Sequence, residues 1–399
     1  MKATRVLLIL AVIVALFATN YCDDSKIYER FQVYVKRYHK RYKTTSEYMR
    51  RFETYKQNLV KADQIFRSDS FNDSEFMDMS QEDFGIRYLV KDIMSIKRYV
   101  KNVESYFEMV QNGTVGQWMR PNFSYVWPYN YRYPNYYPNN YPYPYPLPNP
   151  RPNPTPRPTP SPAPQPNPQP NPQPNPQPTP NSGTVPDSFD WRTKGAVGVV
   201  KNQGSCASCW AFTTLGNLEG LYFLKYGKLL SLSEQQLVDC DTNDNGCNGG
   251  MMDNAYTYLQ NAGGSMLESE YPYTGFKRQC KAYSPKGSVK VTGMIDAGTT
   301  DENYIKQMLY NVGPLGAVIN ASTLQYYTSG VFNVSPSSCP VSGINHGVLL
   351  VGYGTENGVN YWICKNSWGP SWGEQGFFRI ARGKGLCGIN NHVVSGKIA

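Results

Sequence analysis

Apolar residues recur at helical spacing in two stretches of this 399-residue chain, and at strand spacing in its later part. Ala211, Leu215, Leu218 and Tyr222 fall at steps of four, three and four, which predicts a helix with one buried face that opens near Cys209. Val90, Ile93, Ile96, Val100, Val103, Phe107 and Val110 repeat every three or four residues and predict another helix, packed on the segment before it. From about Ser25 to Val110 the chain is helical in pattern, charged and rich in tyrosine, with Glu47, Arg51, Tyr55 and Asn58 along one side of a helix. Ser233, with Gln236 three residues later, predicts a capping box ahead of a short helix that ends near Cys240. After about Val289 the pattern turns to short β-branched, glycine-punctuated runs, and His346 to Gly354 and Tyr361 to Ser367 read as strands. A helical half followed by a strand half predicts an α+β fold of two lobes with a cleft between them.

The chain opens with Lys2 and Arg5, then an uninterrupted apolar run from Val6 to Phe17, the pattern of a secretory signal cleaved between about Ala18 and Cys22. That run is short for a membrane span and no second one follows, so no membrane span is expected. Entry to the secretory pathway makes disulfides permissible. Length alone allows two or three domains.

From Pro128 to about Thr184, Tyr/Pro/Asn-rich sequence passes into alternating proline with repeated Pro-Gln-Pro-Asn. Proline fixes φ and removes donors, so a disordered, polyproline-like spacer is expected, spanning on the order of 150 Å at ~3.1 Å per residue. A ligand for proline-reading domains or a wall-binding tether is the alternative use of such a segment. Residues 185–399 hold 16 Lys/Arg against 15 Asp/Glu, so most of the net charge of +9 lies upstream, and nucleic-acid binding by the later module is not expected.

Candidate chemistry concentrates in Lys201-Asn202-Gln203-Gly204-Ser205-Cys206-Ala207-Ser208-Cys209-Trp210-Ala211-Phe212. A cysteine at a helix start meets the positive dipole end and free N–H groups, which favour the nucleophilic thiolate. Gln203 can reach back so that its amide and the Cys209 N–H share an oxyanion. Cys206 and Cys209 also read as a redox pair or half of a zinc site. A thiol nucleophile needs a base, and the chain has three histidines, His39, His346 and His392. His346 stands at the head of an apolar strand.

This stretch resembles the nucleophile site of the papain family of cysteine peptidases, with Ala207 where the family has glycine, beside the first substrate subsite. The resemblance runs from Val185-Pro186-Asp187-Ser188-Phe189-Asp190-Trp191-Arg192 to the C-terminus and implies a two-lobed papain-like fold, one helical lobe and one β-barrel-like lobe. It implies Cys209 as nucleophile, Gln203 as oxyanion donor, His346 as acid and base, Asn366 as the amide that orients the imidazole, and Trp368 as the indole that shields that bond. A thiolate–imidazolium pair with a depressed thiol pKa is expected. Gly249 and Gly250 match the strand-like platform for bound peptide; Met251, Met252, Val318 and Ile344 match the walls of the second subsite, and His392 its base. At that base a neutral imidazole is expected to admit leucine, phenylalanine or valine, and an imidazolium to repel arginine and tolerate glutamate. The alternative has His392 turned out to solvent, merely bordering the pocket.

Upstream, Glu47, Arg51, Tyr55 and Asn58 resemble the ERFNIN helix of the propeptide of cathepsin L-like enzymes, with Tyr55 in place of phenylalanine and Ala62 and Phe66 at the last two signature positions. Phe76-Met77-Asp78-Met79-Ser80-Gln81-Glu82-Asp83-Phe84 is similar to the second propeptide motif, with Asn72 and Ser74 at its Gly and Asn positions. The resemblance also selects the disulfides Cys206–Cys247, Cys240–Cys280 and Cys339–Cys387 from the fifteen pairings that six cysteines allow. Cys364 is expected to be a buried apolar thiol and Cys22 to leave with the signal or propeptide. The sequons at Asn72, Asn112, Asn122, Asn320 and Asn333 permit glycosylation.

Together these readings imply a signal peptide at 1–22, an inhibitory propeptide at 23–127, the spacer at 128–184 and a peptidase domain at 185–399. The expected protein is a monomeric cysteine endopeptidase of the secretory pathway, lysosomal, vacuolar or extracellular, acting on proteins or peptides without metal or cofactor. No Cys- and His-rich insertion follows Cys247, so the occluding loop of cathepsin B-type exopeptidases is not expected. The rival is an extracellular Pro-rich adhesive or wall protein with a peptidase-like binding module.

Overall fold

The helix that begins at Cys209 borders two apolar cores, one built mainly on helices and one mainly on strands. A computed structural model describes residues 24–66, 72–90, 185–281 and 288–399. The signal run, the helix expected beyond Val90, the Pro-rich spacer, Cys22 and the sequons at Asn112 and Asn122 lie outside the described residues. No helix among the described residues is long and apolar enough to cross a membrane.

Among the described residues three helices precede the module: α1 (24–37), α2 (Thr45–Phe66) and α3 (Gln81–Tyr88). Ser80 starts α3 by accepting the Asp83 N–H at 3.0 Å, which satisfies one free donor of the first turn. Leu89 then turns extended, at φ −118° and ψ 153°. Val90 is therefore not the first residue of a further helix, as its periodicity predicts; its N–H is spent on the Asn345 carbonyl at 2.7 Å. Tyr55 exploits its departure from phenylalanine: the ring is buried and its hydroxyl donates to Asp73 at 2.7 Å.

In the module, β1 (Phe189–Asp190) leads to α4 (Cys209–Tyr226), α5 (Glu234–Cys240) and α6 (Met252–Asn261). Every residue of α4 from Cys209 to Gly220 is buried, so the single face expected from its period is too narrow a reading. Leu215 and Leu218 belong to the core shared with α6, while Phe223 and Leu224 border the other. Ser233 caps α5 through the Gln236 N–H at 3.1 Å, but the Gln236 side chain bonds Gly264 and Met266 rather than closing a reciprocal box. Three disulfides join Cys206 to Cys247, Cys240 to Cys280 and Cys339 to Cys387. Each closes a loop of at least 40 residues, worth on the order of 4 kcal/mol in the chain-entropy account.

The rest is strand-rich: β2 (Val291–Asp296), α7 (Glu302–Val312), β3 (Leu315–Ile319), β4 (Val331–Phe332), β5 (His346–Glu356), β6 (Val359–Lys365), β7 (Phe377–Ala381) and β8 (Val393–Ile398). Seven of these strands run in the order β2-β8-β3-β5-β6-β7-β4, and β1 joins the sheet on β5. Only β4 and β7 pair in parallel. β5 is buried from His346 to Gly354, which is why its sequence is an apolar run without alternation.

Candidate active site

Backbone register assembles the site before any side chain is considered. Cys209 is the first residue of α4 and His346 the first of β5, while Asn366 follows the last residue of β6, whose partner in β5 is Leu349. Gly347 packs directly on the nucleophile: a Cβ there would lie 3.0 Å from Thr213 Oγ1 and 3.4 Å from the Cys209 carbonyl oxygen. The Gln203 strand is laid against the same region by its N–H on the Ser367 carbonyl at 2.8 Å and by the Gly369 N–H on the Lys201 carbonyl at 3.1 Å. Beneath it the Lys201 ammonium reaches Glu234 at 2.7 Å and Glu219 at 3.3 Å.

His346 Nε2 and Asn366 Oδ1 are 2.8 Å apart, and the Trp368 ring lies 4.8 Å from the imidazole. Asn366 Oδ1 also accepts the Ser367 N–H at 2.8 Å, which fixes the amide. Ser367 Oγ donates to Gln203 Oε1 at 2.6 Å, which fixes the amide and leaves Nε2 as its donor end. Ser367 was not singled out from sequence, although it sits between the two residues that were. Tyr273 was likewise missed; its hydroxyl donates to the Gln203 carbonyl at 2.8 Å and lies 2.7 Å from Ser208 Oγ.

The upstream segment occupies this arrangement. Gln203 Nε2 donates to the Tyr88 carbonyl at 3.3 Å as well as to Cys206 O at 3.0 Å. Phe76, Phe84 and Tyr88 pack on the Trp368 ring at 5.8, 5.2 and 6.0 Å. Val90 joins the apolar cluster of Met251, Met252, Val318 and Ile344, with Cys209 in the same cluster. Gly249 has φ +112°, and a Cβ there would come within 2.5 Å of Val90 Cγ1, so only glycine lets a chain lie this close. Further contacts pin the segment: Gln325 Nε2 donates to the Met79 carbonyl at 2.7 Å, Tyr326 donates to Asn58 Oδ1 at 3.2 Å, and Ser74 Oγ donates to the Gln325 carbonyl.

This cover changes the electrostatics expected from sequence. The Cys209 thiol is completely buried, and burial pushes it up to about 11, against the opposing pull of the Gly347, Trp210 and Cys209 N–H groups. Burial likewise lowers His346 to about 4, with the Asn366 bond acting weakly the other way. His346 Nδ1 is buried with no hydrogen-bond partner. Burial thus disfavours the charged form of each group in this covered state, against the thiolate–imidazolium pair expected from sequence.

Cys206 is spent in the disulfide with Cys247, which removes the redox-pair and zinc-site readings of the Cys-x-x-Cys stretch. Cys364 is buried in β6 and burial raises its thiol well above the usual range, so it is inert. His392 is not turned to solvent: it is 2 % exposed, with Nε2 2.8 Å from Asp253 and Nδ1 3.5 Å from Asp296. Its carbonyl accepts the Val318 N–H at 3.3 Å, which places it beside the apolar cluster. The neighbouring carboxylates were not anticipated, because Asp253 and Asp296 come from α6 and β2, far from His392 in sequence.

Residues 185–397 match the family described as "Papain family cysteine protease". Cathepsin F of Drosophila melanogaster is 47% identical over 223 residues, covering 54% of this chain and 36% of that protein. Cathepsin L of Sarcophaga peregrina is 48% identical over 212 residues, 52% of this chain and 62% of that protein, so under two thirds of either relative is spanned. Among solved structures, digestive procathepsin L 3 of the Tenebrio molitor larval midgut has a TM-score of 0.64 at 29% identity, covering 93% of this chain and 98% of that one. The recombinant stem bromelain precursor gives the same TM-score at 27% identity, covering 93% of this chain and 99% of that one. With more than half its length inside the family pattern, this chain belongs to the papain family of cysteine proteases.

Proposed function

We propose that the chain is the zymogen of a cysteine endopeptidase. Cys209 passes its thiol proton to His346 and attacks the scissile carbonyl, and Gln203 Nε2 with the Cys209 N–H holds the oxyanion. His346 gives its proton to the leaving amine and then activates the water that releases the acyl-enzyme, with Asn366 and Trp368 holding the ring. The observation that carries this reading is the Tyr88 carbonyl on Gln203 Nε2 with Val90 in the neighbouring apolar pocket. A substrate whose carbonyl reaches Gln203 would send its preceding residue into that pocket; here the later residue, Val90, enters it. The segment thus runs opposite to a substrate and covers the thiol without presenting a bond in register for attack.

On this reading residues 1–22 are a signal peptide, 23–127 the inhibitory propeptide, 128–184 a spacer and 185–399 the peptidase domain. Gly249 and Gly250 carry the peptide backbone, and Met251, Met252, Val318 and Ile344 wall the second subsite, with His392 at its base between Asp253 and Asp296. Ion pairs of Asp73 with Arg30 at 2.8 Å and of Asp78 with Lys40 at 3.1 Å hold the covering segment together, and acid releases that segment. The enzyme acts as a monomer in a lysosomal, vacuolar or extracellular compartment. Glycans fit Asn72 and Asn333, which are exposed; Asn320 is 7 % exposed, and its amide donates to Ser342 at 2.8 Å. Labelling acid-activated protein with an epoxide thiol inhibitor tests the proposal. A single adduct on Cys209 with loss of peptide hydrolysis is expected, and hydrolysis surviving full Cys209 labelling would overturn it.

A further inference from the structure

Directly under the Gly249–Gly250 turn lies a pair of acids that the reaction above does not use. Asp241 is fully buried and Asp244 is 4 % exposed, and the two carboxyl groups are in hydrogen-bonding contact. Asp241 Oδ1 accepts the Asn243 N–H at 2.9 Å, while Asp244 Oδ1 accepts the Met251 N–H at 2.9 Å and Asn254 Nδ2 at 3.0 Å. The remaining oxygen of each, Oδ2, is buried and has no donor. Two buried carboxylate oxygens without donors are costly apart and repulsive together, and one proton between them removes both problems. The groups around them do not supply another answer. Lys277 is the cation that acts on Asp241, and Tyr258 of α6 faces the same acid. Asp239 is engaged with Tyr271 and Arg278, and Asp253 with His392.

We propose that Asp241 and Asp244 share one proton, and that this bond positions the Gly249–Gly250–Met251 backbone under the bound peptide. Asp244 is the link: it holds the Met251 N–H, and a Cβ on Gly250 would stand 2.6 Å from its Cγ. One carboxyl donates its O–H to the other while the proton is present. When base removes it to water, two like charges remain in a buried space and push the loop, and with it the platform, out of place. Burial first, and then the charge of Asp241, push Asp244 upward, so the proton is retained beyond the ordinary carboxylate range. The favourable state therefore exists at acid pH and is lost as pH rises through the raised value. These are positioning residues, and the inference rests on the reading of Gly249–Gly250 as the substrate platform.

The test compares the activated enzyme with Asp241→Asn and Asp244→Ala, measuring kcat, KM and Tm between about pH 5 and about pH 8.5. The asparagine amide donates to Asp244 with no proton to lose. In the wild type KM should rise about fivefold and Tm fall by a few degrees across that window, and Asp241→Asn should flatten both. Asp244→Ala should raise KM at every pH. An Asp241→Asn enzyme with the wild-type slopes in KM and Tm overturns the shared proton. A flattened Tm with an unchanged KM slope overturns the positioning role. A Tm raised by added calcium in wild type but not in Asp241→Asn would mean that a cation joins the pair, and overturns the proposal. Labelling of Cys209 does not depend on these acids, so failure there falls on the peptidase reading alone.

Discussion

In the segment from 24 to 90 the buried carboxylates are supplied with cations and phenols: Asp73 receives Arg30 at 2.8 Å and Tyr55 at 2.7 Å, and Asp78 receives Lys40 at 3.1 Å, Tyr34 at 2.6 Å and Tyr42 at 2.9 Å. In the module from 185 to 399, Asp241 and Asp244 are instead pushed by burial toward the protonated form. The first kind of contact is an ion pair, and the second is completed by a proton. Disulfides staple the module and a large apolar core supports it, whereas the segment's own core is a small cluster of Phe31, Tyr34, Phe52, Tyr55, Leu59, Ala62 and Met77, closed by Tyr326 of the module. The segment is thus held by ion pairs and a small core, the module by disulfides and a large one.

The largest expected effect separates the two free thiols of the module. Cys209→Ala should abolish peptide hydrolysis in the activated protein, a loss on the order of 10⁴-fold or more, while Cys364→Ala keeps most activity. Equal losses in both, with folding intact by circular dichroism, would remove Cys209 from its role. The same thiol should resist alkylation in the zymogen until pH approaches its raised value of about 11, and react at neutral pH once the segment is released.

Next in size is the fit of Val90. The isolated segment from 25 to about 110 should inhibit the mature module in trans at neutral pH and lose that inhibition in acid. Val90→Asp would bury an unpaired carboxylate among Met251, Met252 and Ile344, a cost of about 3 kcal/mol, so its inhibition constant should rise on the order of 100-fold. Asp73→Asn with Asp78→Asn, which breaks the ion pairs with Arg30 and Lys40, should weaken that inhibition at neutral pH; an unchanged inhibition constant would remove these pairs from what holds the cover.

Smaller, about tenfold, is the effect assigned to His392. With leucine, arginine and glutamate two residues before the cut, kcat/KM ratios should shift between acid and neutral pH in the wild type and not in His392→Ala. Acid should disfavour arginine and favour glutamate, tempered by the carboxylates of Asp253 and Asp296 beside the ring. Identical pH responses in both proteins would remove His392 from specificity. Deleting Pro128 to about Asn181 should have the smallest effect, leaving kcat/KM of the activated enzyme on short peptides unchanged, since a proline-rich arm adds reach alone.

The roles expected of Cys209, His346 and Asn366 came from the resemblance to the papain family, while the helix start and the strand start that carry Cys209 and His346 were legible from local periodicity and β-branched runs. The propeptide motifs were legible for the same reason: Tyr55 and Asn58 lie one turn apart on α2, and their partners follow within a few tens of residues. Long-range placement was not legible. That the Val90 N–H is held by the Asn345 carbonyl depends on a partner more than 250 positions away in the chain. Burial was not legible either: Cys209 and His346 are both fully buried in the folded chain, which disfavours the charged form of each. Asp241 and Asp244 look like ordinary loop acids in sequence. Only folding turns both inward against each other, because α6 and the two disulfides close the loop around them and leave two oxygens no water to face.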